Sequence, residues 1–209
     1  MAMESLVSAT KDLKSSLGGR VGARMQEFAE LGRKPSRELF KEMCFCLLTA
    51  NFNAERAMAI QERIGDGFLT LPEPDLAARL KELGHRHPNA RASYIAGARV
   101  HADGLKGILG SFAGGPEARE WLVRNVKGLG YKEASHFLRN IGYQDLAIID
   151  FHIVDLLVSC GIIRSPGALS PARYAEIERI LRELGTRTNL TLGKLDLYLW
   201  YQETGKILK

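Results

Sequence analysis

The sequence has few cysteines and lacks any long apolar run. Its three cysteines, Cys44, Cys46 and Cys160, are too few for a disulfide framework and lack the spacing of zinc or iron–sulfur ligands, so we expect buried free thiols. No run approaches the roughly 20 apolar residues of a membrane span. The start, MAMESLVSATKDLK, has no signal-peptide core. We therefore expect a soluble intracellular protein, cytoplasmic or nucleoid-associated, with no membrane partner.

Low-complexity tracts and linkers are also missing, which leaves a chain of ordinary globular composition. Its 209 residues, 45% of them hydrophobic, suffice for one core or for two small lobes that share a cleft. Lysine and arginine number 29 against 24 aspartate and glutamate, a net charge of +5. This balance favours a polyanionic partner without establishing one.

Apolar residues recur every three or four positions along most of the chain, and this period predicts an all-α fold. Residues 146–149 form the one strand-like run, which fits equally well a buried extended connector between helices; we favour the connector. The predicted helical segments are 3–31, 37–49, 54–64, 74–83, 90–103, 117–126, 131–141, 151–160, 171–184 and 191–204.

Two glycines flank one apolar residue between two of these segments, which is typical of a helix-hairpin-helix. Glycine lets the turn backbone approach a phosphate, and the helix that follows offers free amides and its positive dipole end. A glycine-leucine-glycine turn alone is a weak signal, since many are ordinary helix C-caps, but neighbouring basic residues favour the hairpin. The candidate phosphate-binding residues are Lys127, Gly128, Leu129, Gly130 and Tyr131.

Two titratable residues follow the hairpin. Lys132 begins the second hairpin helix, and Asp150 ends the apolar connector directly before the next helix. Taken locally, Asp150 is explained as a helix N-cap, and Lys132 as a solvated or phosphate-contacting lysine. Local sequence alone leaves these interpretations open.

A longer stretch around both residues carries a family resemblance. The segment VKGLGYKEASHFLRNIGYQDLAIIDFHI resembles the helix-hairpin-helix and Gly/Pro-Asp motif of base-excision DNA glycosylases. The blocks CFCLLTANFNAERA, GDGFLT, LKELGHR and LDLYLWYQETGKILK extend it to the archaeal-type (type 2) 8-oxoguanine DNA glycosylase/lyases. The resemblance covers most of the chain. It departs from the family at His87, where an aromatic residue commonly follows the arginine.

The resemblance implies a fold and a reaction. We expect one compact domain, 1–209, with two helical lobes, approximately 37–115 and 1–36 plus 116–209, around a DNA-binding cleft. The implied activity is excision of 8-oxoguanine from duplex DNA, with Lys132 forming a Schiff base, Asp150 assisting and β-elimination following. The expected partner is double-stranded DNA containing an oxidised purine. The enzyme is expected to be a monomer that requires no cofactor or metal.

Further site candidates come from the outer blocks. Asn51 matches the turn from which relatives insert a polar residue into the duplex, although it also fits a loop asparagine. Trp200 is a candidate for base stacking, although core packing is the commoner role of such an aromatic. Lys209 is implied in the base pocket, with a frayed end as the alternative. His152 is a possible accessory residue, whereas His136 is expected to be structural, with its ring nitrogens hydrogen-bonded.

We also expect the terminal helices to pack together, with Trp200 and its apolar neighbours in that interface.

Two other functions fit the same residues. One is a glycosylase of the same fold with another lesion preference or weak lyase activity. The other is a non-catalytic helix-hairpin-helix DNA-binding module, in which Lys132 only contacts phosphate and Asp150 only caps a helix. Replacing either residue would then alter affinity or stability without abolishing a reaction.

Overall fold

The computed structural model describes residues 2–209, so Met1, the first residue of the predicted domain, lies outside the described residues. Helices and their connections make up this range, and no strand occurs in it, which confirms the all-α prediction. The helices are α1 Ala2–Arg33, α2 Ser36–Thr49, α3 Ala54–Ile64, α4 Gly67–Thr70, α5 Glu73–Glu82, α6 Pro88–Ala98, α7 Leu105–Gly110, α8 Gly115–Asn125, α9 Tyr131–Asn140, α10 Phe151–Ser159, α11 Pro171–Thr188 and α12 Leu192–Thr204.

Side-chain caps fix several of the helix starts. Asn53, Ser170 and Thr191 each accept a hydrogen bond from a backbone amide three residues ahead, at the starts of α3, α11 and α12. The sequence analysis missed α4 and α7, because four or six residues are too short to show a helical period.

The apolar run 146–149 is an extended connector, as predicted. Its four residues are buried, and helix α11 provides hydrogen-bond partners for its backbone amides. The amide of Ala147 donates to Glu178 Oε2 over 3.1 Å, and that of Ile149 donates to the Tyr174 hydroxyl over 3.2 Å. Because side chains replace a neighbouring strand, the run can be buried without a sheet. It delivers Asp150 to the start of α10.

The buried apolar side chains form three clusters. The largest extends from Leu39 to Leu146 and holds α2 to α9 together. A second joins the start of α1 to the connector, α10, α11 and α12. The largest cluster includes both hairpin helices, of which α9 packs on α2 and α8 packs on α9. The predicted lobe boundaries stay a prediction.

The third cluster confirms that the terminal helices pack together. Val21, Met25 and Phe28 of α1 meet Leu197 and Tyr198 of α12. The expected place of Trp200 in this interface was wrong: its side chain lines a cavity. Tyr198, two positions earlier on α12, faces α1, so Trp200 lies on nearly the opposite side of the helix.

The cysteines are free, and two of them are buried as predicted. Burial raises the pKa of the Cys44 and Cys46 thiols well above the ordinary value. Cys160 is only half-buried at the end of α10, so the expectation of burial was wrong there. Over residues 2–209 no helix is both long and apolar enough to span a membrane.

Candidate active site

A cavity of about 680 Å³ opens where α9, α10, α12, the turn after α2 and the C-terminal segment meet. This volume lies within the ordinary range of small-ligand pockets. Lys132, Asp150, Asn51, Trp200 and Lys209 all line it. Five candidates from three separate stretches of the sequence therefore meet at one place.

The hairpin turn lies between α8 and α9. Gly128 has a φ of +95°, and a Cβ there would stand 2.3 Å from the ring of Tyr94, so only glycine fits. Leu129 is buried, and its amide donates to the carbonyl of Val126 over 3.2 Å. Gly130 precedes α9, and its amide donates to Glu133 Oε2 over 3.3 Å. The amides of the first turn of α9 have no partner within the helix and can accept an anion.

The side chains of two hairpin candidates have partners within the protein. The Lys127 ammonium lies 5.7 Å from the centre of the Tyr94 ring. The Tyr131 hydroxyl donates to Glu120, and this contact is the main cause of its raised pKa. Tyr131 is therefore left with its backbone amide as the group available to a phosphate.

Lys132 lies on the first turn of α9, and its side chain is 24% exposed at the cavity. Among the described residues, its ammonium pairs with Glu133 Oε1 at 3.7 Å and makes no ion pair with Asp150. Asp150 caps α10, and its Oδ1 accepts from the amide of Ile153 over 3.0 Å. The N-cap interpretation is therefore correct, and the same carboxylate also lines the cavity.

Three buried polar residues line the cavity beside this pair. Arg139 Nη1 and Asp196 Oδ2 lie 3.4 Å apart. Burial raises the pKa of Asp196 to about 6. The positive charge of Arg139 lowers this pKa, and the negative charge of Asp150 raises it further. His136 is buried, and this lowers its pKa well below the ordinary value, so it is neutral at pH 7. A backbone oxygen of Lys209 approaches the His136 ring outside regular hydrogen-bond geometry.

Aromatic rings lead from the surface into the cavity. Phe151 is 68% exposed, and its ring centre lies 3.9 Å from that of His152. His152 meets Trp200 edge to face at 4.7 Å, and the Trp200 indole N–H is buried without a partner among the described residues. Trp200 therefore offers its ring to the cavity, while its N–H stays buried. Phe52 lines the opposite part and stacks on His85 at 4.2 Å, while His87 lies outside the cavity lining.

Asn51 lies in the turn between α2 and α3. It is exposed, and its φ of 55° is in the left-handed region that asparagine tolerates better than most residues. Arg91 donates to the carbonyl of Ala50 over 2.6 Å, and His85 Nε2 lies 3.0 Å from the carbonyl of Leu48. These two contacts fix the end of α2 and the start of the turn, and the Asn51 side chain lies at the cavity edge.

The C-terminal lysine is docked rather than frayed. Lys209 Nζ donates to Glu42 Oε2 over 2.8 Å and to Gln61 Oε1, and it lies 4.3 Å from the centre of the Phe45 ring. Lys206 pairs with Glu55 at 2.8 Å. These contacts fasten the segment after α12 to α2 and α3.

The family model for 8-oxoguanine DNA glycosylase matches residues 21–190. The chain belongs to the 8-oxoguanine DNA glycosylase family. It is similar to the 8-oxoguanine DNA glycosylase/AP lyase of Korarchaeum cryptofilum, with 54% identity over the whole of both chains. The protein of the same name from Methanocaldococcus jannaschii is 52% identical over 98% of this chain and 99% of that one.

Solved structures of this glycosylase family have the same fold. The Methanocaldococcus jannaschii 8-oxoguanine glycosylase/lyase in complex with 15mer DNA containing 8-oxoguanine matches with a TM-score of 0.96 and 51% identity, covering 98% of this chain and 100% of that one. The 8-oxoguanine DNA glycosylase of Thermotoga maritima matches with a TM-score of 0.93 and 42% identity, covering 99% and 100%. The predicted family and fold are therefore confirmed.

In this member of the 8-oxoguanine DNA glycosylase family, sequence reasoning missed the buried pair of Arg139 and Asp196 on the cavity wall, and it missed Glu42, which binds Lys209 behind that wall. It also expected His136 to be a satisfied structural residue, whereas the ring lies on the cavity wall without a regular hydrogen bond. Of the buried pair, only Asp196 carried a signal in the sequence, since Leu192 and Leu199 lie one turn away from it on α12 and a charge among apolar residues seldom lies unpaired.

Proposed function

We propose that this chain is a bifunctional DNA glycosylase and AP lyase that excises 8-oxoguanine from duplex DNA, as its relatives' names indicate for those proteins. The observation that carries the proposal is the meeting of Lys132 and Asp150 in a cavity of about 680 Å³, which has room for an extruded base, directly beside the hairpin. A phosphate-binding turn next to a lysine and a carboxylate suits chemistry at a nucleotide sugar.

The reaction begins at the sugar of an extruded nucleotide. The neutral Lys132 amine attacks C1′, the glycosidic bond breaks, and its electron pair leaves with the base, which takes up a proton. The new amine loses a proton, the sugar ring opens, and a Schiff base forms. Removal of a proton from C2′ then expels the 3′ phosphate by β-elimination. Water releases the lysine at the end.

Asp150 assists through its charge. Its fixed position at the N-cap of α10 holds a carboxylate where positive charge develops on the sugar. Its remaining oxygen is available to move protons, and His152, the second residue of α10, is an accessory candidate. The 24% exposure of Lys132 implies that bound DNA must exclude water before the amine reacts.

The other cavity residues fit the extruded base and the gap it leaves. Trp200 provides a ring for stacking, the backbone of Lys209 provides acceptors, and Asn51 at the cavity edge fills the vacated space in the duplex. Guanine and 8-oxoguanine differ at N7, which carries hydrogen only in the damaged base, so an acceptor selects the lesion. We further propose that the enzyme works inside the cell as a monomer, with the predicted single domain and two lobes around the DNA.

Borohydride trapping on a duplex with one 8-oxoguanine tests the proposal. Wild-type protein is expected to form a covalent adduct with damaged but not with undamaged duplex. Lys132→Gln is expected to form none, because it lacks the nucleophile. Lys127→Gln is the matched control: it removes a neighbouring hairpin charge but keeps the nucleophile, so it should bind DNA more weakly and still be trapped.

The outcomes separate the alternatives. Excision without trapping would show a glycosylase that lacks the lyase step. Adducts with another oxidised purine alone would show a different lesion preference. DNA binding by wild type with neither excision nor trapping on any lesion would leave a non-catalytic module and contradict the proposal.

A further inference from the structure

A carboxylate outside the reacting pair lies almost completely buried in the middle of α2. The side chain of Glu42 is 3% exposed, and its neighbours on the helix belong to the largest apolar cluster. A buried carboxylate is costly unless its oxygens are fully bonded and its charge is matched. The partners of Glu42 therefore indicate what the residue is for.

Three separate parts of the chain donate to this carboxylate. Asn140 Nδ2 of α9 donates to Oε1 over 2.6 Å, and Gln61 Nε2 of α3 donates to Oε2 over 3.1 Å. Lys209 Nζ donates to Oε2 over 2.8 Å. Two neutral amides thus orient the carboxylate, while the last residue of the chain supplies its charge partner.

Lys209 lies in the segment after α12, which several contacts hold. The helix α12 ends at Thr204, and beyond it Lys206 pairs with Glu55 at 2.8 Å. The side chain of Lys209 is 19% exposed, and among the described residues its ammonium contacts groups of α2 and α3, namely Glu42, Gln61 and the Phe45 ring. Glu42 is the one carboxylate that pairs with Lys209 in the described part of the chain, so it supplies the charged restraint on this residue.

This restraint decides which atoms of the last residue face the cavity. Leu208 and Lys209 line it, and a backbone oxygen of Lys209 approaches His136. Because the Lys209 side chain is bound to α2 and α3, its backbone oxygens are left for a ligand. We propose that Glu42 is a positioning residue for lesion recognition, which holds Lys209 so that its backbone acceptors meet the extruded base. The inference rests on the proposed function.

The test compares Glu42→Gln with Glu38→Gln. The control makes the same change one turn earlier on α2, where Glu38 is 41% exposed and pairs with Lys41. Three single-turnover rates are measured: excision of 8-oxoguanine, excision of guanine, and strand cleavage at an abasic site, which has no base to recognise. Glu42→Gln should lower the ratio of 8-oxoguanine to guanine excision by about tenfold, the effect of one hydrogen bond, and leave abasic cleavage unchanged. Glu38→Gln should change none of the three.

The split between base excision and abasic cleavage distinguishes positioning from general support of the fold. An unchanged excision ratio, or an equal fall in abasic cleavage, would overturn the inference. If Glu42→Gln does not fold, Lys209→Gln removes the same ion pair while keeping the backbone, and the same criteria apply to it. Wild-type protein that cleaves abasic sites but excises neither base would instead overturn the proposed function.

Discussion

Asn51 and Asn189 are the two non-glycine residues with positive φ in the described part of the chain, at 55° and 52°. Asn189 ends α11, where a left-handed residue is a common helix cap. Asn51 lies in the turn after α2, in which the amide of Phe52 donates to the carbonyl of Thr49 over 3.1 Å, and it lines the cavity. The third position of such a turn takes a positive φ, which asparagine tolerates, so the turn presents this side chain at the cavity edge.

We expect Asn51→Gly to fold normally and to excise the base more slowly. Glycine accepts the positive φ, so the change removes the side chain without straining the turn. If the asparagine fills the gap left by the extruded base, excision from duplex should fall by about 10- to 100-fold, since extrusion costs a few kcal/mol. The measurement is the single-turnover excision rate. The control, Asn189→Gly, makes the same change at the same φ far from the cavity and should leave the rate unchanged; equal rates for the two variants would contradict the role.

The sequence predicts a residue's position well where a local pattern marks it, and poorly where its partner is distant in the chain. The hairpin and the buried connector mark the positions of Lys132 and Asp150 in the sequence, but their expected roles came from the family resemblance. The cap and the cavity roles of Asp150 coexist, which local sequence could not decide. Arg139 and Asp196 were missed because their pairing joins α9 to α12, a contact that no local pattern encodes.

At the scale of elements, the helical period predicted the long helices well and their caps fixed the starts. The exceptions are α4 and α7, which are shorter than two turns and whose placement depends on packing against the largest cluster. The connector 146–149 was also predicted, but the hydrogen-bond partners that allow its backbone to be buried were not. Its amides bind Glu178 and Tyr174 of α11, and such long-range partners are not visible in the sequence.

The hairpin gives an element-scale prediction, because its two glycines differ in what they require. Gly128→Ala is expected to lower the free energy of unfolding by about 2–4 kcal/mol, since its φ of +95° and the Tyr94 ring at 2.3 Å both oppose a Cβ. Gly130→Ala is the matched control: its φ of −89° suits any residue, and its Cβ would lie 3.2 Å from a movable Glu133 oxygen. It should lower the free energy by less than about 1 kcal/mol. Urea unfolding measures both, and equal losses would argue against the asymmetry.

At the scale of the whole molecule, buried ion pairs connect the two largest apolar clusters: Arg139 with Asp196, and Arg119 with Glu178. Arg119 of α8 donates to both oxygens of Glu178 of α11, over 2.5 and 3.2 Å, and the two side chains are 7% and 10% exposed. Glu178 also accepts from the amide of Ala147 in the connector that leads to Asp150. The pair thus holds the hairpin helices against the element that positions the carboxylate.

We expect Glu178→Gln to destabilise the protein by about 3–5 kcal/mol, because it leaves the buried Arg119 guanidinium without a partner charge. Glu176→Gln, on the same helix, removes an exposed pair with Arg173 and should change the free energy of unfolding by less than about 0.5 kcal/mol. Urea unfolding followed by far-ultraviolet circular dichroism gives both values.

The same experiment tests the predicted single domain. Trp121 packs against the largest cluster, whereas Trp200 lies on α12, which belongs to the other two. In a single cooperative unit, tryptophan fluorescence and circular dichroism should therefore unfold together, in wild type and in Glu178→Gln alike. Separate transitions in wild type would show two units that fold independently. Separation in the variant alone would show that this ion pair couples the clusters, and that the cavity between their helices depends on it.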